Sequence, residues 1–211
     1  AAALQAMTYY TAESFALHNG ASHDRLRVIP LGLGDCDTVA QAARSPGSGQ
    51  PLYVLTVSRL SAADSYKGID YLIEAVALLR RQGTALHLDI AGTGDDRERL
   101  EALAAVRGVA DCVHFHGSVS DERLCQLYAS CDVFALPSKG EGFGIVFLEA
   151  MRHGKPCIGG NHGGVPEVID HGVNGLLVEH GDAVQLAAAL SGLSASPARL
   201  AELGKRARDK V

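Results

Sequence analysis

From residue 52 onward, short apolar runs alternate with segments whose apolar residues recur every three or four positions. The runs predict strands at 52–57, 85–90, 112–115, 133–136, 156–159 and 175–178. The periodic segments predict helices at 68–82, 95–106, 121–130, 145–153, 182–193 and 197–209. Ile69, Leu72, Ile73, Val76 and Leu79 line one helical face; Leu124, Leu127, Tyr128 and Cys131 line another. Ser120 and Asp182 stand where N-caps belong, because a short polar side chain there can accept an otherwise unpaired first-turn N–H. Apolar strands alternating with amphipathic helices predict an α/β fold: a Rossmann-like parallel sheet with helices on both faces. Such sheets bind ligands beyond the C-terminal ends of their strands.

The beginning of the chain has a different texture. Residues 5–17 read as a helix with Leu4, Met7, Tyr10, Ser14 and Leu17 roughly on one side, and 26–30 as a short strand. Residues 35–50 are rich in Ala, Ser, Gly, Gln and Pro and read as a linker. The expected organisation is a short unit over 1–34, a linker over 35–50 and the main domain over 51–211.

The densest chemistry lies in 137–151, where a Gly-rich turn opens a helix and two carboxylates flank the opening, Glu141 in the turn and Glu149 further along. Gly142 and Gly144 leave backbone N–H groups bare at a helix N-terminus, where partial positive charge suits a phosphate or polyol oxygen. Eight residues at ~1.5 Å rise separate the carboxylates by roughly 12 Å along a helix axis. A glycosidase pair needs about 5–9.5 Å, so one extended ligand with hydroxyls at both ends fits better.

This block resembles the double-Glu motif of glycosyltransferase family 4, whose members transfer sugars with retention of configuration. Val57-Ser58-Arg59-Leu60, Lys67-Gly68, Ile90-Ala91-Gly92-Thr93-Gly94, Phe115-His116-Gly117-Ser118-Val119, Gly163-Gly164-Val165-Pro166-Glu167 and Gly172-Val173-Asn174-Gly175 are similar to further blocks of that family, in its order, over about residues 51–182. Each block alone is weak; their order carries the resemblance. It implies a GT-B protein, of which 51–211 is the C-terminal, donor-binding domain and 1–34 the tail of an N-terminal domain that is otherwise missing, as in a fragment.

The resemblance also implies roles. Arg59 and Lys67 stabilise charge on the departing nucleoside diphosphate, a task two cations can perform without a metal or other cofactor. Glu141 accepts hydrogen bonds from the donor hexose. Gly142, Phe143 and Gly144 offer N–H groups to the sugar or distal phosphate, and Ile145 and Val146 to the diphosphate. Glu149 bridges the ribose hydroxyls, and Ser118 and Val119 line the base pocket. Attack then comes from the leaving-group face. The implied partners are a nucleotide-sugar donor and a carbohydrate or lipid-linked acceptor held by the missing domain.

Composition narrows the field. The 211 residues are 47% hydrophobic with a formal net charge of −5, and no basic run appears, so no nucleic-acid partner is expected. No apolar run approaches the length of a transmembrane helix. Cys36, Cys112, Cys125, Cys131 and Cys157 lack CxxC spacing and read as small buried hydrophobes of a reducing compartment. The expected location is the cytoplasm, with the longer protein peripheral at the inner membrane face. Asp35-Cys36-Asp37 has the D-x-D spacing of metal-dependent transferases but lies in the linker, and His114 with His116 lacks a third ligand. Two rivals stay open: another GT-B enzyme, such as a nucleotide-sugar epimerase or sugar-phosphate synthase, and a non-catalytic nucleotide-binding module.

Overall fold

A computed structural model describes residues 4–19, 26–29 and 50–211. Six parallel strands form the main sheet: β3 (Leu52–Val57), β4 (Leu86–Ala91), β5 (Val113–Gly117), β6 (Val133–Leu136), β7 (Cys157–Gly160) and β8 (Gly175–Val178). Their order is β5-β4-β3-β6-β7-β8, so the direction of winding reverses between β3 and β6. Because every neighbour is parallel, all loops that follow strands emerge at one end of the sheet. The expected motif blocks that follow strands therefore gather there, whereas Gly172–Gly175 leads into β8 and lies at the other end of the sheet.

Helices α2 (Ile69–Arg81), α3 (Arg97–Val106), α4 (Asp121–Ser130), α5 (Ile145–Arg152), α6 (Val165–Val168), α7 (Ala183–Ala195) and α8 (Pro197–Lys210) connect and cover the strands. All positions of β6 and β7 are buried, which requires cover on both faces. Cover is incomplete at the β5 edge. There Tyr53, His87 and His114 stack their rings across three strands, and His116 pairs with Asp89 at 2.6 Å. The expected caps form: Ser120 Oγ accepts the Arg123 N–H and Asp182 Oδ1 the Gln185 N–H. Two short elements had no local pattern to announce them, the 3-10 turn Ala62–Lys67 and α6.

Helix α5 buries Phe147, Ala150 and Met151, whereas Val146 and Leu148 are only partly covered. Phe147 meets Phe134 of β6 edge-on, with centroids 5.4 Å apart. Such a pair adds about 0.5–1.5 kcal/mol to the burial of its rings. This contact fixes α5 beneath the loop that precedes it. Cys112, Cys131 and Cys157 are buried free thiols, and burial pushes Cys131 up to about 12, so it stays protonated and inert. Cys125 departs from that reading: it is half-buried and disulfide-bonded. Cys36 and the Asp35–Asp37 pair lie outside the described residues.

The start of the chain departs from the expected helix over 5–17. Leu4–Ala6 is a strand, β1, paired in parallel with β2 (Leu26–Val28), and the helix α1 runs later, over Tyr9–Asn19. Its buried face carries Ala12 and Ala16, while Met7, Tyr10 and Leu17 are exposed. The ladder to β2 takes the backbone of Leu4–Ala6 out of the helix, and the buried Thr8 then restarts it. The linker falls outside the described residues. Among the described residues, no helix is long and apolar enough to cross a membrane.

Candidate functional site

The loops after β3 and β6 flank the point where strand order reverses, the usual ligand crevice of such sheets. They touch closely. A Cβ on Gly68, which has φ of 75°, would stand 2.8 Å from the Pro137 carbonyl oxygen, so only glycine lets the loops approach this far. The Lys139 N–H donates to the Tyr66 carbonyl at 2.9 Å and closes the contact. The Lys139 side chain is exposed.

This approach brings two predicted residues together. Lys67 Nζ donates to Glu141 Oε1, with the two side chains only 16% and 11% exposed. The Lys67 ammonium also lies 5.2 Å from the Tyr66 ring centroid. Arg59 does not join them. Its guanidinium pairs with Asp64 at 3.1 Å and is 78% exposed.

Gly144 is the N-cap of α5 and provides no side-chain cap. Among the described residues, none of the N–H groups from Gly142 to Val146 donates to a protein acceptor. The first turn of a helix carries such orphan donors together with the positive end of its dipole. The site thus offers a row of free N–H groups beside one ammonium and one carboxylate.

Glu149 projects from the same helix and is half-buried. Tyr128, from α4, donates its hydroxyl to Glu149 Oε2 at 2.8 Å. Tyr128 is 2% exposed, and burial with the neighbouring Glu149 charge pushes its own ionisation far upward, so it remains a donor. One Glu149 oxygen is thereby occupied and the carboxylate is oriented. Periodicity assigned Tyr128 to the apolar face of α4, which is correct for its ring and silent about its hydroxyl. His153, at the end of α5, stacks on the same ring with centroids 5.7 Å apart.

Ser118 and Val119 follow β5 at the same end of the sheet. Ser118 is exposed, and Val119 packs partly against the core. The Gly163–Gly164 turn after β7 also comes to the loop that precedes α5, since Gly164 N–H donates to the Glu141 carbonyl at 2.8 Å. Three partners of this loop and of α5 carried no local signal: Tyr128 on Glu149, His180, whose Nδ1 lies 3.0 Å from the Pro137 carbonyl, and Thr8, whose hydroxyl donates to the Gly142 carbonyl at 2.7 Å.

Known proteins are similar to this chain. The amylovoran biosynthesis glycosyltransferase AmsK of Erwinia amylovora is 36% identical over 168 residues, which cover 77% of this chain and 40% of that protein. A GDP-mannose-dependent alpha-(1-6)-phosphatidylinositol monomannoside mannosyltransferase of Mycobacterium tuberculosis is 39% identical over 163 residues, 74% of this chain and 42% of that one. The chain thus spans less than half the length of these two relatives. The crystal structure of Anabaena Alr3699/HepE in complex with UDP-glucose superposes with a TM-score of 0.84 at 27% identity, covering 99% of this chain and 58% of that one. The fold is that of the C-terminal domain of GT-B glycosyltransferases. A model of the family described as glycosyl transferases group 1 matches residues 40–210, a span that includes Lys67, Glu141 and Glu149. By that match, the chain belongs to the group 1 glycosyl transferases.

Proposed function

We propose that residues 51–211 are the donor-binding domain of a retaining, metal-independent glycosyltransferase of family 4, which transfers a hexose from a nucleoside-diphosphate sugar. The observation that carries this reading is the Lys67–Glu141 pair beside the N–H groups of Gly142–Val146, which are unpaired among the described residues, at the point where strand order reverses. A diphosphate laid against these donors neutralises its charge on Lys67 and on the helix N-terminus. Glu141 then faces the hexose and Glu149, held by Tyr128, the ribose. Arg59 serves as the second cation by turning from Asp64 to the phosphate. The relatives' names favour the transferase over an epimerase or a silent binding module: one is a biosynthetic glycosyltransferase and another is GDP-mannose-dependent.

Retention follows from attack on the leaving-group face. The departing phosphate oxygen takes the acceptor proton, and the cations and N–H groups stabilise it as charge builds. The acceptor is a carbohydrate or lipid-linked carbohydrate whose binding groups come mainly from the rest of a longer protein. The 211-residue chain alone should therefore bind donor and transfer no sugar, because transfer needs both substrates held together in a closed cleft.

The test is calorimetric titration of the chain with UDP-glucose and with GDP-mannose, each with and without a chelator. Binding of at least one, undiminished by the chelator, supports the reading. Binding of neither sinks the donor site, and loss on chelation sinks metal independence.

A further inference from the structure

The donor loop is held from behind by residues remote in sequence. Gly142 O accepts the Thr8 hydroxyl at 2.7 Å and the Thr11 hydroxyl at 3.2 Å. Thr8 is 1% exposed, and its Oγ1 also accepts the Thr11 N–H at 3.0 Å, so it caps α1 while gripping the loop. One peptide earlier, the Glu141 carbonyl accepts the Gly164 N–H. A Cβ on Gly164 would stand 2.3 Å from Gly142 O and 3.0 Å from Thr8 Cγ2, so three segments meet at one carbonyl. The first turn of α1 is anchored in turn by Glu167, whose carboxylate accepts the Tyr9 N–H at 2.9 Å and the Tyr10 N–H at 2.8 Å.

The direction of these bonds matters. In a trans peptide the carbonyl and the N–H point to opposite sides of the chain, and no cis peptide interrupts this loop. Holding Gly142 O on the α1 side turns the Phe143 N–H the other way. Holding Glu141 O on the Gly164 side does the same for the Gly142 N–H. Both N–H groups lack protein acceptors among the described residues. A loop with glycine at 140, 142 and 144 has little intrinsic preference for either peptide orientation, so the hydrogen bonds behind it decide.

We propose that Thr8 is a positioning residue for donor binding: anchored through α1 by Glu167, its hydroxyl fixes the Gly142–Phe143 peptide so that the N–H groups of the loop face the distal phosphate and hexose. This rests on the donor-site reading above. Thr8 touches no donor atom itself; it sets the orientation of the groups that do.

The variants Thr8→Val, which keeps the shape, and Thr8→Ser, which keeps the hydroxyl, test it in the whole chain. Affinities for UDP-glucose and GDP-mannose are compared with those for UMP and GMP, which lack the distal phosphate and hexose. Backbone order parameters of Gly142 and Phe143 are read by ¹⁵N relaxation without ligand. Thr8→Val should weaken the sugar nucleotide about tenfold, the size expected for one lost hydrogen bond, and lower both order parameters. The monophosphate should be unchanged and Thr8→Ser near wild type. Glu167→Ala, a change at an exposed side chain that leaves the core intact, should move both readouts in the same direction and serves if Thr8→Val fails to fold. Equal losses for monophosphate and sugar nucleotide, a Ser variant as weak as Val, or unchanged order parameters overturn the proposal. A wild-type chain that binds no sugar nucleotide sinks the donor reading and this proposal with it; a wild-type chain that binds while Thr8→Val changes nothing sinks only the role of Thr8.

Discussion

The ammonium of Lys67 is hydrogen-bonded to the carboxylate of Glu141 across the two loops that flank the reversal of strand order. The cation proposed for the diphosphate and the carboxylate proposed for the hexose therefore neutralise each other in the ligand-free chain. On the proposed reading, a donor entering between them exchanges this pair for a phosphate on one side and sugar hydroxyls on the other. The exchange spares both partly buried charges the cost of standing alone.

Lys67→Ala should weaken UDP or GDP, whichever the protein prefers, by about 1.5–3 kcal/mol, the worth of a charge-assisted hydrogen bond. Binding of the bare nucleoside should not change. Arg59→Ala should cost less, about 0–1 kcal/mol, because the exposed guanidinium gives up its Asp64 partner to reach phosphate. Titrations of both variants with diphosphate and nucleoside check this. Equal losses for the two ligands would mean that these residues shape the fold rather than hold phosphate.

The two carboxylates should separate by ligand. Glu141→Gln frees Lys67 and should spare or slightly tighten the nucleoside diphosphate, while weakening the complete sugar nucleotide by about 1 kcal/mol. Glu149→Gln should weaken both, since both contain the ribose. Dissociation constants for UDP and UDP-glucose, or for the guanosine pair, give the pattern; the reverse pattern would refute the proposed orientation of the donor.

Tyr128→Phe keeps the buried ring and removes the hydroxyl that orients Glu149. It should cost about 1 kcal/mol of folding stability in urea. Nucleotide affinity should fall toward that of Glu149→Gln, and the double variant should be no worse than Glu149→Gln alone. Additive losses would mean that the two residues act independently.

Stability should fall on acidification through His153. Burial holds its pKa below the ordinary 6.5, helped by the charges of Lys155, Arg152 and Arg208, so the folded chain takes up its proton less readily than the unfolded one. The contribution is complete above pH 6.5 and is lost as pH falls from there toward the depressed folded value. Urea midpoints at a series of pH values should drop over that range in the wild type and flatten in His153→Asn. An unchanged slope in the variant would assign the acid sensitivity elsewhere.

Local pattern determined the sheet and its order of elements. Apolar runs and three-to-four periodicity depend on near neighbours, and every predicted strand and helix from residue 52 onward formed within a few residues of its expected bounds. The turn and helix start within 137–151 were equally legible, because glycines and an apolar periodic run lie within one short stretch. The tertiary structure decided what each of these groups faces. Lys67 meets Glu141 because parallel strands carry their two loops to one end of the sheet, whereas Tyr128 reaches Glu149 from one helix to another and Thr8 reaches Gly142 from beside the smaller β1–β2 sheet. Likewise residues 5 and 6, expected to open the helix over 5–17, joined the strand Leu4–Ala6 because β2 offered its backbone a ladder. Hydrogen-bond partners across such separations are fixed by chain crossover and packing, and no local periodicity encodes them.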